Sequence, residues 1–370
     1  MRCGMMRAMF GRLSEEQEAR RAAFVEVGRE VSALLEGERP GSLPRAAWRR
    51  LADSGVFRLL VEEGALEASI AFEGLGQGCD DVGFLFAANA HLWGVVLPLW
   101  LHGGERWLEG ALDGSVIGAH AVSEPGAGSD VRAMGTTIVA DGDELVVNGQ
   151  KTWITGAPEA ELFLVFGKDE AGLGVVVLER GDAGLSTGRV DKLGLSGAPM
   201  GTVELDAVRV PADRRLGEPG SGMALFRTSL EYERACVFAP FLGAMERQLQ
   251  RCVRHARGRK AFGGPVGRFQ AVSHRIADMQ TRLDVSRLLL YRAAAARDAG
   301  RAPVESSQAK GWIAEAFLQS SLDAMRIFGA AGYVEEAAAA VDLRDALGGP
   351  LFSGTTEIQK NIVASFLGVG

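Results

Sequence analysis

The sequence predicts an α+β fold in three parts: a helical region, then a small antiparallel β barrel or sandwich, then a second helical region. Three observations predict it. Stretches rich in Ala, Leu, Arg and Glu run from Ser14 to about Leu112. Short β-prone runs separated by Gly and Asp fill the segment from Thr136 to Val210. A 3.6-residue apolar period returns from about Met223. Periodicity near 3.6 marks helices, and closely spaced short runs with turn residues between them mark an all-β unit. The domain boundaries expected from these shifts are 1–119, 120–222 and 223–370.

Each element has its own signal. Ser14 with Gln17 has the spacing of a capping box at a helix start. Pro40-Gly41 and Gly103-Gly104 read as breaks between helices. The most apolar stretch, Phe84–Leu101, is interrupted by Asn89, His91, Gly94 and Pro98. A membrane span needs about 20 mostly apolar residues, so a buried helix suits this stretch better. In the middle region, Thr136–Ala140 and Leu145–Asn148 flank the turn signal Asp141-Gly142-Asp143. Asn148-Gly149 reads as a second hairpin turn. Leu162–Phe166, Val175–Leu178 and Val203–Val210 are further strands, closed off by Pro211 and by the glycines of 217–222. In the last region Ile276, Met279, Leu283 and Leu290 share one helical face, as do Ile313, Phe317, Ala324 and Phe328. Both stripes read as helix packing.

Composition removes several functional classes. Among 370 residues, 40 Lys and Arg against 47 Asp and Glu give a net charge of −7, and 47% of the chain is hydrophobic. That much apolar material excludes general disorder. The missing basic excess argues against a nucleic-acid binder. Cys3, Cys79, Cys236 and Cys252 are scattered with no C-x-x-C pair, and the five histidines show no ligand spacing, so no metal is expected. No G-x-G-x-x-G follows an early strand, and neither G-x-x-x-x-G-K-[ST] nor H-E-x-x-H occurs. Met1–Phe10 lacks the apolar core of an export signal, which points to a cytoplasmic protein, with Met5, Met6 and Met9 as alternative starts. Glycine, at 49 residues, is about twice its usual ~7% share.

Four segments carry chemistry. Ala121–Asp130 holds the run Gly126-Ala127-Gly128, where a backbone can approach a ligand, flanked by Ser123, Ser129 and Asp130. Asn148–Thr155 holds Trp153 and Thr155, which share a face of a strand. An aromatic beside a hydroxyl suits a flat heteroaromatic ligand. The third segment is Arg259-Lys-Ala-Phe-Gly263, and the fourth is Phe352-Ser-Gly-Thr-Thr-Glu-Ile-Gln359.

In this order the four segments resemble the acyl-CoA dehydrogenase family over nearly the whole chain. The resemblance implies an N-terminal helical domain, a middle β barrel and a C-terminal four-helix bundle. It implies an FAD enzyme that desaturates an acyl thioester between Cα and Cβ, and a homodimer or homotetramer in which subunits share each flavin. Carried over by position, Val122 and Ser123 meet the isoalloxazine edge and Ser129 the substrate arm. Trp153 and Thr155 cover the flavin. Arg259 and Phe262 reach the neighbouring subunit's FAD, and Gln270 continues that segment. Gly329 matches the glycine turn at the diphosphate, and Thr355 and Glu357 lie by the adenosine half. At that turn Arg326 stands where the family has glutamine and Ala330 where it has glycine; an arginine can still pair bidentately with a diphosphate.

The larger departure is Ser353, where many family members carry the catalytic glutamate. Serine is no base near neutrality, and removing an α-proton requires one. Isovaleryl-CoA dehydrogenases and some others place the glutamate in a Leu-Glu-Arg segment after the β domain. Here Leu230–Arg234 stands at that place, so the resemblance assigns the base to Glu233, followed by Arg234. Glu231 lies about 200° around the helix and cannot share its face. The resemblance implies that the backbone N–H of Ser353 and an FAD ribityl hydroxyl polarise the substrate carbonyl, with the backbone of Gly354 lying close to the thioester. This arrangement also resembles prolyl-carrier-protein dehydrogenases. The expected substrate is therefore a short acyl or aminoacyl group on a carrier protein, with acyl-CoA as the alternative. Electron-transfer flavoprotein or oxygen would be the acceptor, and a flavin oxidase or monooxygenase on the same fold is a further alternative.

Overall fold

A computed structural model describes residues 13–39 and 41–369. The expectations about the first ten residues, Cys3 and Pro40 lie outside the described residues.

Seven helices come first: α1 (Glu15–Leu35), α2 (Arg45–Asp53), α3 (Val56–Glu62), α4 (Ala65–Gly78), α5 (Val82–His91), α6 (Leu97–Leu101) and α7 (Glu105–Leu112). The capping box at Ser14 is formed in both directions, each side chain serving the other residue's backbone N–H. Helix α5 runs through a π-helical turn, Leu92–Val96, into α6, and almost all of this apolar stretch is buried inside the protein. The polar and breaking residues noted in it have local causes. Asn89 donates to the Val237 carbonyl at 2.9 Å and accepts from the Trp93 indole. Gly94 lies where an added Cβ would stand 2.7 Å from the His120 Cβ, so β1 can pack directly on the helix.

The middle region contributes β1 (Gly118–Ala121), β2 (Thr137–Asp141), β3 (Glu144–Thr155), β4 (Leu162–Asp169), β5 (Gly172–Glu179), β6 (Leu185–Arg189) and β7 (Met200–Pro211). They form one sheet in the order β1-β4-β2-β3-β7-β6, with β5 also paired to β4. Most pairings are antiparallel, whereas β1 and one residue pair of β2 lie parallel to β4. The β2–β3 hairpin turns at Gly142, as its sequence signals. Asn148-Gly149 does not turn the chain. It sits within β3 at a register shift against β7, and the Asn148 side chain accepts the Ala207 N–H at 2.8 Å. Gly149 is needed there because an added Cβ would meet Thr136 Oγ1 at 2.4 Å, the crowding of a β-bulge. Two strands, β1 and β6, are short and polar or small in sequence and carry no alternating signal.

Strands β4 and β5 are buried on both faces, which explains their unbroken apolar runs. Phe163, Val165, Val176 and Leu178 face the core inside the sheet, while Leu164, Phe166, Val175 and Val177 pack into the helical core.

The last region holds α8 (Gly222–Cys236), α9 (Ala239–Gly258), α10 (Gln270–Asp298), α11 (Pro303–Phe328), α12 (Ala338–Ala346) and α13 (Thr356–Phe366). A two-residue hairpin, β8 (Lys260–Ala261) and β9 (Gly264–Pro265), joins α9 to α10. Helices α8 to α11 form the bundle, and both apolar stripes read from the sequence face its interior.

Candidate active site

A cavity of about 700 Å³ opens where the sheet, α8 and the segment between α12 and α13 meet. The loop after β1 supplies Val122, Ser123, Gly128 and Ser129 to its wall. The end of β3 supplies Trp153 and Thr155, α8 supplies Glu233 and Arg234, and the C-terminal turn supplies Phe352, Ser353, Gly354 and Thr355.

The loop after β1 is anchored from beneath. Lys151, fully buried on β3, donates to the Val122 carbonyl at 3.0 Å and to Glu124 Oε1 at 2.7 Å. Glu124 also accepts the N–H groups of Gly135 and Thr136. Burial works against the Glu124 charge, but these donors outweigh it and pull the carboxyl down to about 2. Two residues beyond Lys151, the β3–β7 register slips and Trp153 takes a left-handed φ of 57°. A large aromatic in that region is strained, and strain of this kind collects at ligand-binding positions. The result is an indole that stays 54% exposed at the cavity while Ile154 beside it is buried.

On the opposite wall Glu233 accepts a hydrogen bond from the Ser353 hydroxyl. Burial raises its pKa above the usual carboxylate value, against the opposing pull of Ser353, Arg234 and Lys310. Glu231 points elsewhere: it accepts the Ala302 N–H and faces Arg297 and Arg301. Ser353 has φ 55° and is followed by Gly354 at φ 81°. This turn is clamped by Gln359, whose amide group reaches the Gly354 carbonyl at 2.9 Å and those of Ser353 and Thr355 at 3.4 Å. Arg234 Nε donates to the Ser353 carbonyl at 3.4 Å. The Ser353 N–H is taken by no backbone or side-chain acceptor among the described residues. Phe86 closes the cavity floor against Phe352, their ring centroids 4.6 Å apart.

The structure therefore brings Val122, Ser123, Ser129, Trp153, Thr155, Glu233, Arg234, Ser353, Gly354 and Thr355 to one cavity. Thr355 also caps α13, its hydroxyl accepting the Ile358 N–H at 3.3 Å. Arg259, Phe262, Gln270, Arg326, Gly329 and Glu357 are not on its wall, and all six are exposed. Phe262 is 90% exposed at the tip of the β8–β9 hairpin, where Phe262 and Gly263 both have positive φ. Arg326 lies 3.9 Å from Asp323. His120 is a wall residue that the sequence reading left out. Its Nε2 is buried without a hydrogen-bond partner among the described residues, and burial lowers its pKa to about 4. Only its place on β1 reveals it, and β1 carries no sequence signal.

These groups fit the ring half of a flavin: a flat aromatic platform at Trp153, hydroxyls at Ser123 and Thr155, and an unpartnered imidazole nitrogen. A cavity of this size on one chain, with the remaining predicted contacts exposed outside it, does not enclose the nucleotide half.

Comparison with known proteins agrees with this architecture. The family model "Acyl-CoA dehydrogenase, middle domain" matches residues 119–208, and "Acyl-CoA dehydrogenase, C-terminal domain" matches residues 220–368. The chain is 36% identical to an L-prolyl-[peptidyl-carrier protein] dehydrogenase of Pseudomonas fluorescens, over 95% of this chain and 97% of that protein. It is 34% identical to the mitochondrial short-chain specific acyl-CoA dehydrogenase of Bos taurus, over 88% and 82%. The solved structure of the prolyl acyl carrier protein oxidase AnaB superposes with a TM-score of 0.92 at 34% identity, covering 96% of this chain and all of that one (100%). PigA with FAD and proline superposes at 0.91 and 31% identity, covering 96% and 98%. The chain belongs to the acyl-CoA dehydrogenase family.

Proposed function

We propose that the protein is an FAD-dependent dehydrogenase that introduces a Cα–Cβ double bond into a short acyl or aminoacyl thioester carried on a carrier protein, with Glu233 as the base. The observation that carries the assignment is Glu233 on the cavity wall, bonded to the hydroxyl of Ser353, which stands where the family resemblance leads one to expect the glutamate. Bound FAD supplies the acceptor for the hydride lost from Cβ. The chain's residues do the rest. Glu233 takes the α-proton, and its raised pKa brings it closer to that task than an ordinary surface carboxylate. The Ser353 N–H donates to the thioester carbonyl as negative charge grows on its oxygen, and the clamp of Gln359 and Arg234 keeps that donor in place. Val122, Ser123, Trp153 and Thr155 hold the flavin ring.

The carrier-protein assignment is supported by the names of two relatives, L-prolyl-[peptidyl-carrier protein] dehydrogenases of Pseudomonas fluorescens and Serratia, which match 95% and 83% of this chain. The Phe86–Phe352 floor favours a small acyl group. An acyl-CoA substrate is the second reading, supported by the short-chain relative. The acceptor is electron-transfer flavoprotein or oxygen. The enzyme works as a homodimer or homotetramer, consistent with the exposed Arg259, Phe262 and Gln270. A cytoplasmic setting accords with the free, buried Cys79, Cys236 and Cys252.

The test is Glu233→Gln. The purified variant should keep the visible spectrum of bound FAD, while bleaching by L-prolyl-carrier-protein thioester slows by at least about 10³-fold, within the usual range for a lost acid–base group. Normal bleaching in the variant would overturn the assignment. Matched prolyl-CoA and butyryl-CoA thioesters in the same assay separate the two substrate readings, and oxygen uptake during turnover identifies the acceptor.

A further inference from the structure

The helix packed against the one that carries the proposed base holds a buried charged group with no role assigned so far. Lys310, on α11, is completely buried, and its Nζ has no hydrogen-bond partner among the described residues. A buried ammonium without a partner is costly, and a chain that keeps one has an electrostatic use for it or has it titrate. Its place in the fold supplies the use. Helix α11 packs against α8, which carries Glu233, and against α13, which follows the Ser353 turn. At Gly311, the next residue, an added Cβ would stand 3.6 Å from the Cβ of Gln359, the side chain that clamps that turn. The seam between these helices also contains Arg234 on α8, Glu315 on α11 and Glu357 on α13. Glu315 is engaged by the Thr356 hydroxyl at 3.1 Å, Glu357 is exposed, and Glu231 is turned toward Arg297 and Arg301.

We propose that Lys310 is a positioning residue for Glu233: its buried positive charge, acting with Arg234, keeps the base ionised on the cavity wall. This rests on Glu233 being the base. A carboxylate must be unprotonated to accept the α-proton, and burial alone would protonate it. Ser353 offers one hydrogen bond and Arg234 one charge; Lys310, on the helix packed against α8, offers a second charge. Burial lowers its own pKa to about 8, further lowered by Arg234 and opposed by Glu315, Glu357 and Glu233. Lys310 is thus still charged where a carboxylate titrates.

The experiment is the pH profile of flavin bleaching by L-prolyl-carrier-protein thioester in holoenzyme carrying Lys310→Met, Lys310→Arg or Lys310→Gln. With Lys310→Met, the low-pH limb should move up by about one pH unit, a shift expected from losing one nearby charge. Bleaching then falls roughly tenfold below the new limb and recovers above it. Lys310→Arg should restore the limb. Thermal stability gives an independent readout. With the native-state pKa of Lys310 below its unfolded value of 10.5, wild type should gain stability as pH rises from about 8 toward 10.5. Lys310→Met should lose that gain while being no less stable at pH 7, because an apolar group replaces an unpartnered buried charge. Lys310→Gln serves if the methionine variant does not fold. A limb that stays put in a folded neutral variant, or failure of all three variants to fold, would overturn the proposal by leaving Lys310 only a structural role. Glu233→Gln run alongside separates the two claims: bleaching in that variant removes the base assignment itself, whereas its loss with an unmoved Lys310→Met limb removes only the role of Lys310.

Discussion

Ser353 is informative because it stands where the family resemblance leads one to expect the base. It carries no carboxylate itself, yet its hydroxyl bonds Glu233, the proposed base. That bond stabilises the ionised form of Glu233 and opposes the effect of burial. Ser353→Ala should therefore raise the pKa of the base and move the low-pH limb of kcat/KM upward. A hydrogen bond to a charged group contributes about 1.5–3 kcal/mol, so roughly a ten- to hundredfold loss below the limb is expected, with little change well above it. A pH–rate profile checks this, and a uniform loss at every pH would argue against it. The candidate base was legible in the sequence because Glu233 stands in the Leu-Glu-Arg-like segment that the family resemblance points to, and the structure places it on the cavity wall. His120 and Lys310 were not. One is a histidine in a four-residue strand, the other a lysine on an amphipathic helix, and burial is invisible in either pattern.

Strand β3 does more at the element scale than its sequence suggests. It carries the Lys151 anchor, the Gly149 bulge and the strained Trp153 within one run of twelve residues. The Lys151–Glu124 pair ties this strand to the loop that holds Val122 and Ser123. Lys151→Met leaves Glu124 buried without its cation and should destabilise the middle region by about 3–5 kcal/mol. It should also weaken FAD retention, measurable as flavin released on gel filtration. The pH dependence has a definite sign. The native-state pKa of Glu124 lies near 2, below its ordinary 4.5, so its contribution is full above about 4.5 and fades as pH falls toward 2. Thermal melts at pH 6 and pH 3 should differ less in Lys151→Met than in wild type; an equal difference would sink the argument. The strands with apolar runs were readable, and so was the Asp141–Asp143 turn. Asn148-Gly149 misled because the same two residues that favour a tight turn also favour a bulge, and only the crowding by Thr136 decides between them.

For the whole molecule, the three-part order of helices, sheet and bundle was visible because periodicity changes twice along the chain. What the sequence could not show is that the predicted cofactor residues fall into two sets: one around the cavity, the other exposed on the α9–α10 hairpin and the start of α10, at the end of α11, and on α13 at Glu357. Phe262, 90% exposed and 6.0 Å from the half-exposed Phe269 ring, is the apolar tip that a second subunit is proposed to cover. Phe262→Asp should shift the protein to smaller assemblies on analytical ultracentrifugation and lower its FAD content together. An unchanged sedimentation profile would remove this hairpin from the interface.

The hairpin tip has a consequence for handling the enzyme. If one chain's Phe262 and Arg259 complete the neighbour's flavin site, cofactor retention and subunit association are linked by mass action. Dilution alone should then strip flavin from the protein. Excess free FAD should in turn hold the assembly together at concentrations where the apoprotein falls apart.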